Sequence, residues 1–454
     1  MEFTALVRSR KEARCVILTQ HVCRVVRMKE SFFPKYLTPA RVVALILVLG
    51  VVAVSSSRMI RRPPAYGDFG VYVHAARLMT TGENIYLTPT RPGDLSYIYP
   101  PFFAFLFIPV TWIPVGLAIV LWTLLSVVLV GWIVKAFTEV LSGAPFSELP
   151  VSTRWTVGTL SVLMTSRYIL HHLDRGQANI LELALVVAGL KLLERTDNKR
   201  AILSGLSLGL SIVVKVITLP LTVWYTARKM RSAIGVAIGV IAGVLAPALY
   251  IGWGRNLEFF RFWITNYLLD SSSQNSHLSL GYNFSVLAQL RRFFTREVAV
   301  ESANRLYYLT IFETPTLWLS LADWLIRFGL LAIVLIFIRR YRTSSALVLQ
   351  GGAALAIALT PLFFPTAQKN YFVFLLPAHI YVVWLWHRLK LRDRWFVVLT
   401  TASFVIGSLT GPELWGQFLS DLFAASGCIL WADVLLACAV WRGAGHVNSL
   451  LKPS

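Results

Sequence analysis

The sequence predicts an all-α protein that crosses a membrane several times. Of its 454 residues, 56% are hydrophobic and only 14% are charged, and the mean hydropathy is +0.64. A soluble protein could not cover that much apolar surface with so few charged side chains. The apolar runs are long and continuous, so membrane-spanning helices are expected rather than a β-barrel.

The charge is strongly positive, at +21 from 43 Lys and Arg against 22 Asp and Glu. Nucleic acid would be the expected partner of a soluble chain with this charge. In a membrane protein the same excess follows from cytoplasmic loops rich in Lys and Arg, which also suit anionic lipid headgroups. The lipid bilayer is therefore the expected partner, and nucleic acid is not.

Cysteine and histidine patterns indicate neither a metal centre nor a disulfide framework. The 4 cysteines have no metal-ligand spacing and no legible pairing. His171 and His172 are adjacent, but no third ligand accompanies them in the sequence. We therefore expect no metal ion and no cofactor.

The first predicted span, residues 41–57, follows a basic tail over residues 1–40 that is expected in the cytoplasm. An external loop over residues 58–98 comes next, and its residues 68–81 have the spacing of an amphipathic helix in the membrane interface. Residues 100–113 are apolar but shorter than the ~20 residues that a crossing helix needs. They predict a re-entrant or interfacial segment.

The later apolar runs predict further spans, and residues 201–227 form the unusual one. This run is too long for one simple span and too short for two full ones, so two short helices that break near Lys215 are predicted. The other predicted spans are residues 115–137, 152–170, 178–193, 232–252, 317–338, 345–362, 371–387, 395–410 and 418–440. Together about twelve crossings place the basic loops in the cytoplasm, provided that residues 100–113 do not cross.

This topology gathers polar side chains on the outer face, close to the membrane. Polar groups at such depth are costly and usually face a cavity. A carboxylate there could accept a proton, amides could bind hydroxyls, and a cation could neutralise phosphate, so the set suits a sugar-phosphate site. The candidate residues are Asp68, Tyr72, Tyr99, His172, Arg175, Gln177, Asn179, Lys215, Asn275, Lys369 and Asn370.

Several of these polar residues also have a purely structural interpretation. Asp68, Gln177 and Asn179 could serve as helix caps. Lys215 could satisfy the free carbonyls of a broken helix, or extend its amine to the membrane surface. Polar residues elsewhere in the spans, including the Asp323 and Arg327 pair one helical turn apart, are expected to be structural.

Three segments, taken in order, resemble parts of glycosyltransferase family 87. They are Gly67-Asp68-Phe69 with Tyr72, Ala76, Gly82, Tyr86 and Tyr99-Pro100-Pro101, then Gly176-Gln177-Ala178-Asn179, then Ser204-Gly205-Leu206-Ser207-Leu208-Gly209-Leu210 followed by Lys215. The family contains the polyprenol-phosphate-mannose-dependent mannosyltransferases and their relatives, which have the GT-C fold. The resemblance covers roughly residues 40–390, and it depends on the order and spacing of the segments.

The resemblance implies a GT-C fold with a catalytic Asp and interfacial helices in the first extracytoplasmic loop, and a second large loop after the seventh span. It also implies that a sugar, expected to be mannose or another hexose or pentose, is moved with inversion from a polyprenyl-phosphate donor. The acceptor would be a lipid or a glycan, and Asp68 would be the general base. Lys215 or Lys369 could stabilise the departing phosphate, for which a metal is not obligatory.

One part of the chain departs from the family pattern, and two other functions stay open. Many relatives have Ser-Pro…Trp-x-His near residues 361–371, whereas this chain has Lys369 and Asn370 and no His there, which leaves the sugar and the acceptor open. A flippase or transporter of lipid-linked saccharides should show repeated halves with matching broken helices, and only residues 201–227 show a break. A ligase of whole glycans would use similar pieces.

The predicted organisation has three parts in the plasma (inner) membrane, with the N-terminus in the cytoplasm. Residues 1–40 form the basic tail, residues 41–390 the catalytic membrane module, and residues 391–454 further transmembrane helices and a short tail.

Overall fold

The computed structural model describes residues 39–63, 66–89, 97–194, 197–269, 281–302 and 305–450. The first helices of this part of the chain are α1 (Pro39–Ile60), α2 (Gly67–Thr81), α3 (Pro101–Leu106), α4 (Val115–Ser142), α5 (Val151–Arg175), α6 (Asn179–Leu193), α7 (Asn198–Val214), α8 (Leu221–Arg228), α9 (Arg231–Leu245), α10 (Ala248–Ile251) and α11 (Trp253–Trp263). Its later helices are α12 (Val286–Phe294), α13 (Thr316–Tyr341), α14 (Ala346–Leu359), α15 (Leu376–Arg388), α16 (Arg394–Ser408), α17 (Pro412–Ala425) and α18 (Cys428–Leu450). A small antiparallel hairpin, β1 (Val300–Ser302) with β2 (Arg305–Tyr307), pairs Val300 with Tyr307. The predicted all-α class is confirmed.

The chain divides into two compact units between Val54 and Ser55. The first unit contains the described beginning of α1. The second unit runs from Ser55 to the end of the chain and contains every element from α2 onward, so the candidate residues that the structure describes all lie in it.

Six stretches of the described chain are long and apolar enough to cross a membrane alone. They are Val42–Ile60, Val115–Ser142, Arg231–Ile251, Thr316–Tyr341, Ala346–Phe363 and Cys428–Leu450, and the bent pair α16 and α17 would be a seventh. The protein is therefore a multi-pass membrane protein. The remaining predicted crossings correspond to helices that do not pass this test of length and composition, so the number of about twelve stays a prediction.

The C-terminal part differs from the prediction of one span over residues 418–440. Two helices stand there instead, α17 and α18, and the chain turns between them at Gly427, whose φ is +82°. Helix α17 also bends by 88° from α16. A left-handed backbone suits glycine and ends a helix without a proline, which is why an unbroken apolar run hid the boundary.

The predicted break at Lys215 is confirmed. Helix α7 ends at Val214, and Lys215 is extended, with φ −160° and ψ 129°. A single 3₁₀ turn over Val216–Thr218 follows, and Pro220 precedes α8. Proline lacks a backbone N–H and cannot continue a helix, so the chain unwinds here and sets Lys215 in a non-helical position.

Close contact between α7 and α9 fixes the end of α7 that carries Lys215. Gly205 and Gly209 of α7 face Gly235 and Gly239 of α9, and a Cβ built on Gly209 would lie only 2.9 Å from the Gly239 Cα. Small residues four apart let two membrane helices approach backbone to backbone. The glycines therefore hold α7 at its short distance from α9.

The start of α2 packs tightly against the end of α5. Gly67 and Gly176 both have positive φ, at +66° and +65°. A Cβ on Gly67 would lie 2.6 Å from the Arg175 carbonyl oxygen, and one on Gly176 would lie 2.7 Å from the Phe69 Cβ. Because glycine alone adopts this backbone conformation without strain and leaves this space, the two helix ends meet and bring their polar residues together.

The predicted helix over residues 68–81 and the predicted short apolar segment over residues 100–113 are both present, and that the latter does not cross stays a prediction. The first is α2, and the second consists of the short helix α3 and a 3₁₀ turn over Ile108–Trp112. Aromatic residues join them, since the Tyr72 ring lies 4.8 Å from the Phe103 ring and 5.4 Å from the Phe107 ring, edge to face. Edge-to-face pairs of this kind add to the apolar burial and fix α2 over α3.

Candidate active site

Asp68 lies in the first turn of α2, where the helix dipole favours a negative charge. The N-cap position of α2 belongs to Tyr66, so Asp68 is not the cap. The Asp68 carboxylate accepts a hydrogen bond from the Gln177 Nε2, and no other described residue donates to it. The side chain is partly exposed, so the carboxylate remains available for chemistry.

A chain of hydrogen bonds leads from this contact into the protein. The Tyr72 hydroxyl lies 3.3 Å from the Gln177 Oε1 and 3.2 Å from the Tyr99 hydroxyl. Tyr72 and Tyr99 are both buried. The predicted residues Asp68, Tyr72, Tyr99 and Gln177 therefore form one connected group.

Lys215 is held by a second group of predicted residues. Its Nζ donates to the Asn179 Oδ1 at 2.8 Å, and the Asn179 Nδ2 donates to the Asn370 carbonyl oxygen at 3.0 Å. The same Nζ lies 3.9 Å from the centroid of the Tyr371 ring and 5.3 Å from that of Tyr99. Aromatic faces attract cations at such distances, so the ammonium group is oriented without an ion pair among the described residues.

The surroundings of Asp68 raise its pKa above the ordinary value of a carboxyl group. Loss of hydration is the main cause, and the charges of Arg175 and Lys215 and the Gln177 hydrogen bond oppose it. A carboxylate with a raised pKa binds a proton more strongly and is a better base near neutral pH. Arg175 and Lys215 are thus close enough to Asp68 to act on its charge.

A cavity of about 320 Å³ lies next to these two groups. Tyr99 and Lys215 are in its wall, so it connects to both of them. The rest of the lining is mostly aromatic and apolar and includes Trp263, Tyr267, Trp324, Arg327, Phe363, Phe364, Pro365 and Tyr371. An apolar, aromatic cavity with a few converging polar groups is typical of a small-molecule site.

Arg327 is a functional candidate that the sequence prediction assigned to a structural pair. The pair itself is confirmed, because Arg327 forms an ion pair with Asp323 one turn away on α13. The Arg327 guanidinium also lies 5.2 Å from the Trp324 ring centroid and reaches the cavity. The sequence feature that could have identified Arg327 as a functional candidate is its position as a charged residue in the middle of an apolar span.

Lys369 is not among the residues that line the cavity, and neither is Asp68. Burial, together with the nearby charge of Arg167, lowers the pKa of Lys369 to about 8. It makes no hydrogen bond or ion pair with the described residues. The predicted role of Lys369 in stabilising a leaving phosphate stays a prediction.

The remaining predicted residues occupy different places. Asn370 contributes its backbone carbonyl to Asn179, while its own side chain is buried. His172 is buried in α5, and neither ring nitrogen has a hydrogen-bond partner among the described residues. Asn275 lies outside the described residues. Among those that are described, no three His, Cys, Asp or Glu side chains gather as ligands for a metal ion.

Comparison with known proteins identifies a family and a similar solved structure. No curated protein sequence matches the chain. Among solved structures it is similar to "ArnT from Cupriavidus metallidurans bound to Undecaprenyl phosphate", with 16% identity, a TM-score of 0.41, and 87% of this chain and 77% of that chain covered. The model of glycosyltransferase family 87 matches residues 97–365, which is more than half of the chain and includes every described candidate from Tyr99 to Lys215. The chain belongs to glycosyltransferase family 87.

Proposed function

We propose that the protein transfers a sugar from a polyprenyl-phosphate donor to a lipid or glycan acceptor, with inversion at the anomeric carbon. Membership of family 87 supports sugar transfer. The observation that carries the rest is that Asp68, a candidate base, lies close enough to Lys215 for the two charges to interact, and that Lys215 lines an aromatic cavity. Mannose is the first sugar to test, with other hexoses and pentoses after it.

The chemistry needs one proton acceptor and one stabilised leaving group. Asp68 takes the proton of the acceptor hydroxyl, and the oxygen attacks the anomeric carbon on the face opposite the phosphate. The bond between that carbon and the phosphate oxygen breaks, and its electron pair stays on the phosphate. Lys215 and Arg327 in the cavity wall supply positive charge where this negative charge develops.

The reaction is placed on the extracytoplasmic side of the plasma (inner) membrane. The basic loops at residues 228–231, 339–342 and 388–394 would then face the cytoplasm, as the distribution of Lys and Arg in membrane proteins favours. A polyprenyl phosphate fits this location because its chain stays in the bilayer while the sugar enters the cavity from the membrane surface.

The test is an assay of the purified protein in nanodiscs with a panel of undecaprenyl-phosphate sugars, starting with the mannose form. Transfer of a single sugar from one of them is the expected result. Movement of an intact lipid-linked saccharide across a proteoliposome bilayer, without transfer, would instead identify a flippase. Transfer of a whole glycan in one step would identify a ligase.

A further inference from the structure

The turn between α5 and α6, residues 176–179, uses both of its amide side chains inside the protein. Gln177 donates through Nε2 to Asp68 and accepts through Oε1 from Tyr72. Asn179 accepts through Oδ1 from Lys215 and donates through Nδ2 to the Asn370 carbonyl. Each end of each amide thus has a protein partner.

Burial makes these contacts hard to exchange for substrate contacts. Gln177 is 3% exposed and Asn179 is 0% exposed. A sugar hydroxyl that displaced a partner would leave a buried polar group unpaired, which is energetically costly. The two amides are therefore poorly placed to read sugar hydroxyls, although amides in this pattern led us to expect that role.

We propose that the turn over residues 176–179 is a positioning element that sets both reacting groups at once. Gln177 orients the Asp68 carboxylate, and Asn179 orients the Lys215 ammonium. The inference rests on the proposed function, because it assigns these two partners their roles in transfer. It adds that one short turn fixes the base relative to the cation.

The backbone of this turn is tightly constrained. Gly176 closes α5 with a Schellman motif, in which the Gln177 N–H bonds the His172 carbonyl at 3.3 Å and the Gly176 N–H bonds the Leu173 carbonyl at 3.2 Å. The Trp122 Nε1 donates to the Gly176 carbonyl at 3.1 Å. Three hydrogen bonds to its backbone thus constrain the turn, in addition to the contacts of its side chains.

The Asp68 carboxylate only accepts hydrogen bonds, so it fixes the Nε2 end of the Gln177 amide toward itself and leaves Oε1 facing Tyr72. The Tyr72 hydroxyl has a single proton. When that proton points to the Gln177 Oε1, the Tyr99 hydroxyl can donate to Tyr72 in turn. Every donor in the chain then points toward Asp68, and aligned hydrogen bonds polarise one another.

The first test is the Gln177→Ala variant, assayed with undecaprenyl-phosphate mannose or whichever donor of the panel is active. We expect kcat to fall about 10- to 100-fold through misplacement of the base, with KM for both substrates within about twofold. The acidic limb of the kcat profile should move to higher pH, because the Gln177 hydrogen bond lowers the pKa of Asp68. A raised KM with an unmoved acidic limb would show that Gln177 binds substrate, and would overturn the inference.

The second test is the Asn179→Ala variant, which should give a different result. Its acidic limb should move less than that of Gln177→Ala, because Asn179 does not contact Asp68 and acts on it only through Lys215, which the variant retains. Its affinity for sugar-free undecaprenyl phosphate should fall about 10-fold, because Lys215 loses its orienting partner. An unchanged affinity for this lipid together with an unchanged kcat would contradict the role of Asn179.

A matched control is Gln417→Ala on α17. Gln417 is also a glutamine that donates to a carboxylate, since its Nε2 lies 2.8 Å and 2.9 Å from the two oxygens of Asp421. It is exposed and outside the site, so kcat, KM and the pH profile should not change. Should Gln177→Ala fail to fold, Tyr72→Phe keeps the ring and removes only the hydroxyl, and it should show a smaller shift of the acidic limb in the same direction.

Failure of the inference and failure of the proposed function look different. If Asp68→Asn is inactive while Gln177→Ala has wild-type kcat and pH profile, the positioning role is wrong and Asp68 can still be the base. If Asp68→Asn transfers sugar like the wild type, Asp68 is not the base. If the wild type transfers no sugar from any donor of the panel, the proposed function itself is wrong.

Discussion

Asp68 is the residue whose surroundings best fit the proposed role of general base. Its carboxylate has one described hydrogen-bond donor, Gln177, and two cations close enough to affect its charge. These attractive contacts oppose the loss of hydration without overcoming it, so the pKa stays raised. The carboxylate is therefore oriented by its neighbours and still basic.

The raised pKa of Asp68 predicts the pH dependence of the reaction. Below that pKa the carboxyl is protonated and cannot accept the proton of the acceptor, so the rate should fall as the pH drops through it. The acidic limb of kcat/KM should therefore lie above the pKa of an ordinary Asp. Initial rates across the pH range give the limb, and a limb at or below the ordinary value would contradict the assignment.

Two lysines that the sequence could not rank are separated by the structure. Lys215 lines the cavity, whereas Lys369 does not. We expect Lys215→Met to lower kcat/KM for the donor about 10²-fold and Lys369→Met to change it less than about threefold. Steady-state kinetics of the two variants make the comparison. Equal losses in both would show that the cavity is not where the phosphate binds.

At the scale of elements, breaks and close contacts place the site residues. Length alone predicted the break at Lys215, because a run over residues 201–227 cannot be one simple span. The boundary between α17 and α18 at Gly427 was not predicted, because an apolar run does not show which glycine adopts a left-handed backbone conformation. The sequence also could not predict which helices pack against each other. Hydrophobic periodicity identifies the buried face of a helix but not the helix that covers it.

The contact between α7 and α9 should be sensitive to side-chain size. Gly209→Leu places a side chain where even a Cβ would lie 2.9 Å from the Gly239 Cα, and such overpacking costs about 1–3 kcal/mol. The melting temperature of the purified protein should fall, and activity should fall with it as Lys215 moves. Gly131→Leu on α4 is the control, because nothing lies within 4 Å of a Cβ there. Equal melting temperatures for the two variants would contradict this packing.

At the scale of the whole molecule, the site is assembled from segments far apart in sequence. Asp68 and Gln177 are 109 residues apart, and Lys215 meets Tyr371 across a still longer separation. The sequence predicted that these residues share the outer face, because the distribution of Lys and Arg constrains topology. It could not predict that the amides bind protein groups, since that depends on three-dimensional contacts.

The topology itself can be tested by labelling single cysteines in a cysteine-free background. Glu83 follows α2, and Thr343 follows α13, and both are exposed. Glu83→Cys should react with a membrane-impermeant maleimide in intact cells, and Thr343→Cys should react only in inverted vesicles. Labelling of both from the same side would mean that the segment over residues 100–113, or another segment between them, has been assigned to the wrong topology.

The proposed function depends most on Asp68 as the base, and one measurement tests this role most directly. Asp68→Asn keeps the shape and the partial exposure of the side chain but cannot accept a proton, so sugar transfer by the purified protein should fall about 10²- to 10⁴-fold. Donor binding should be retained, and Asp421→Asn, outside the site, should transfer like the wild type. Transfer by Asp68→Asn at the wild-type rate would contradict the account.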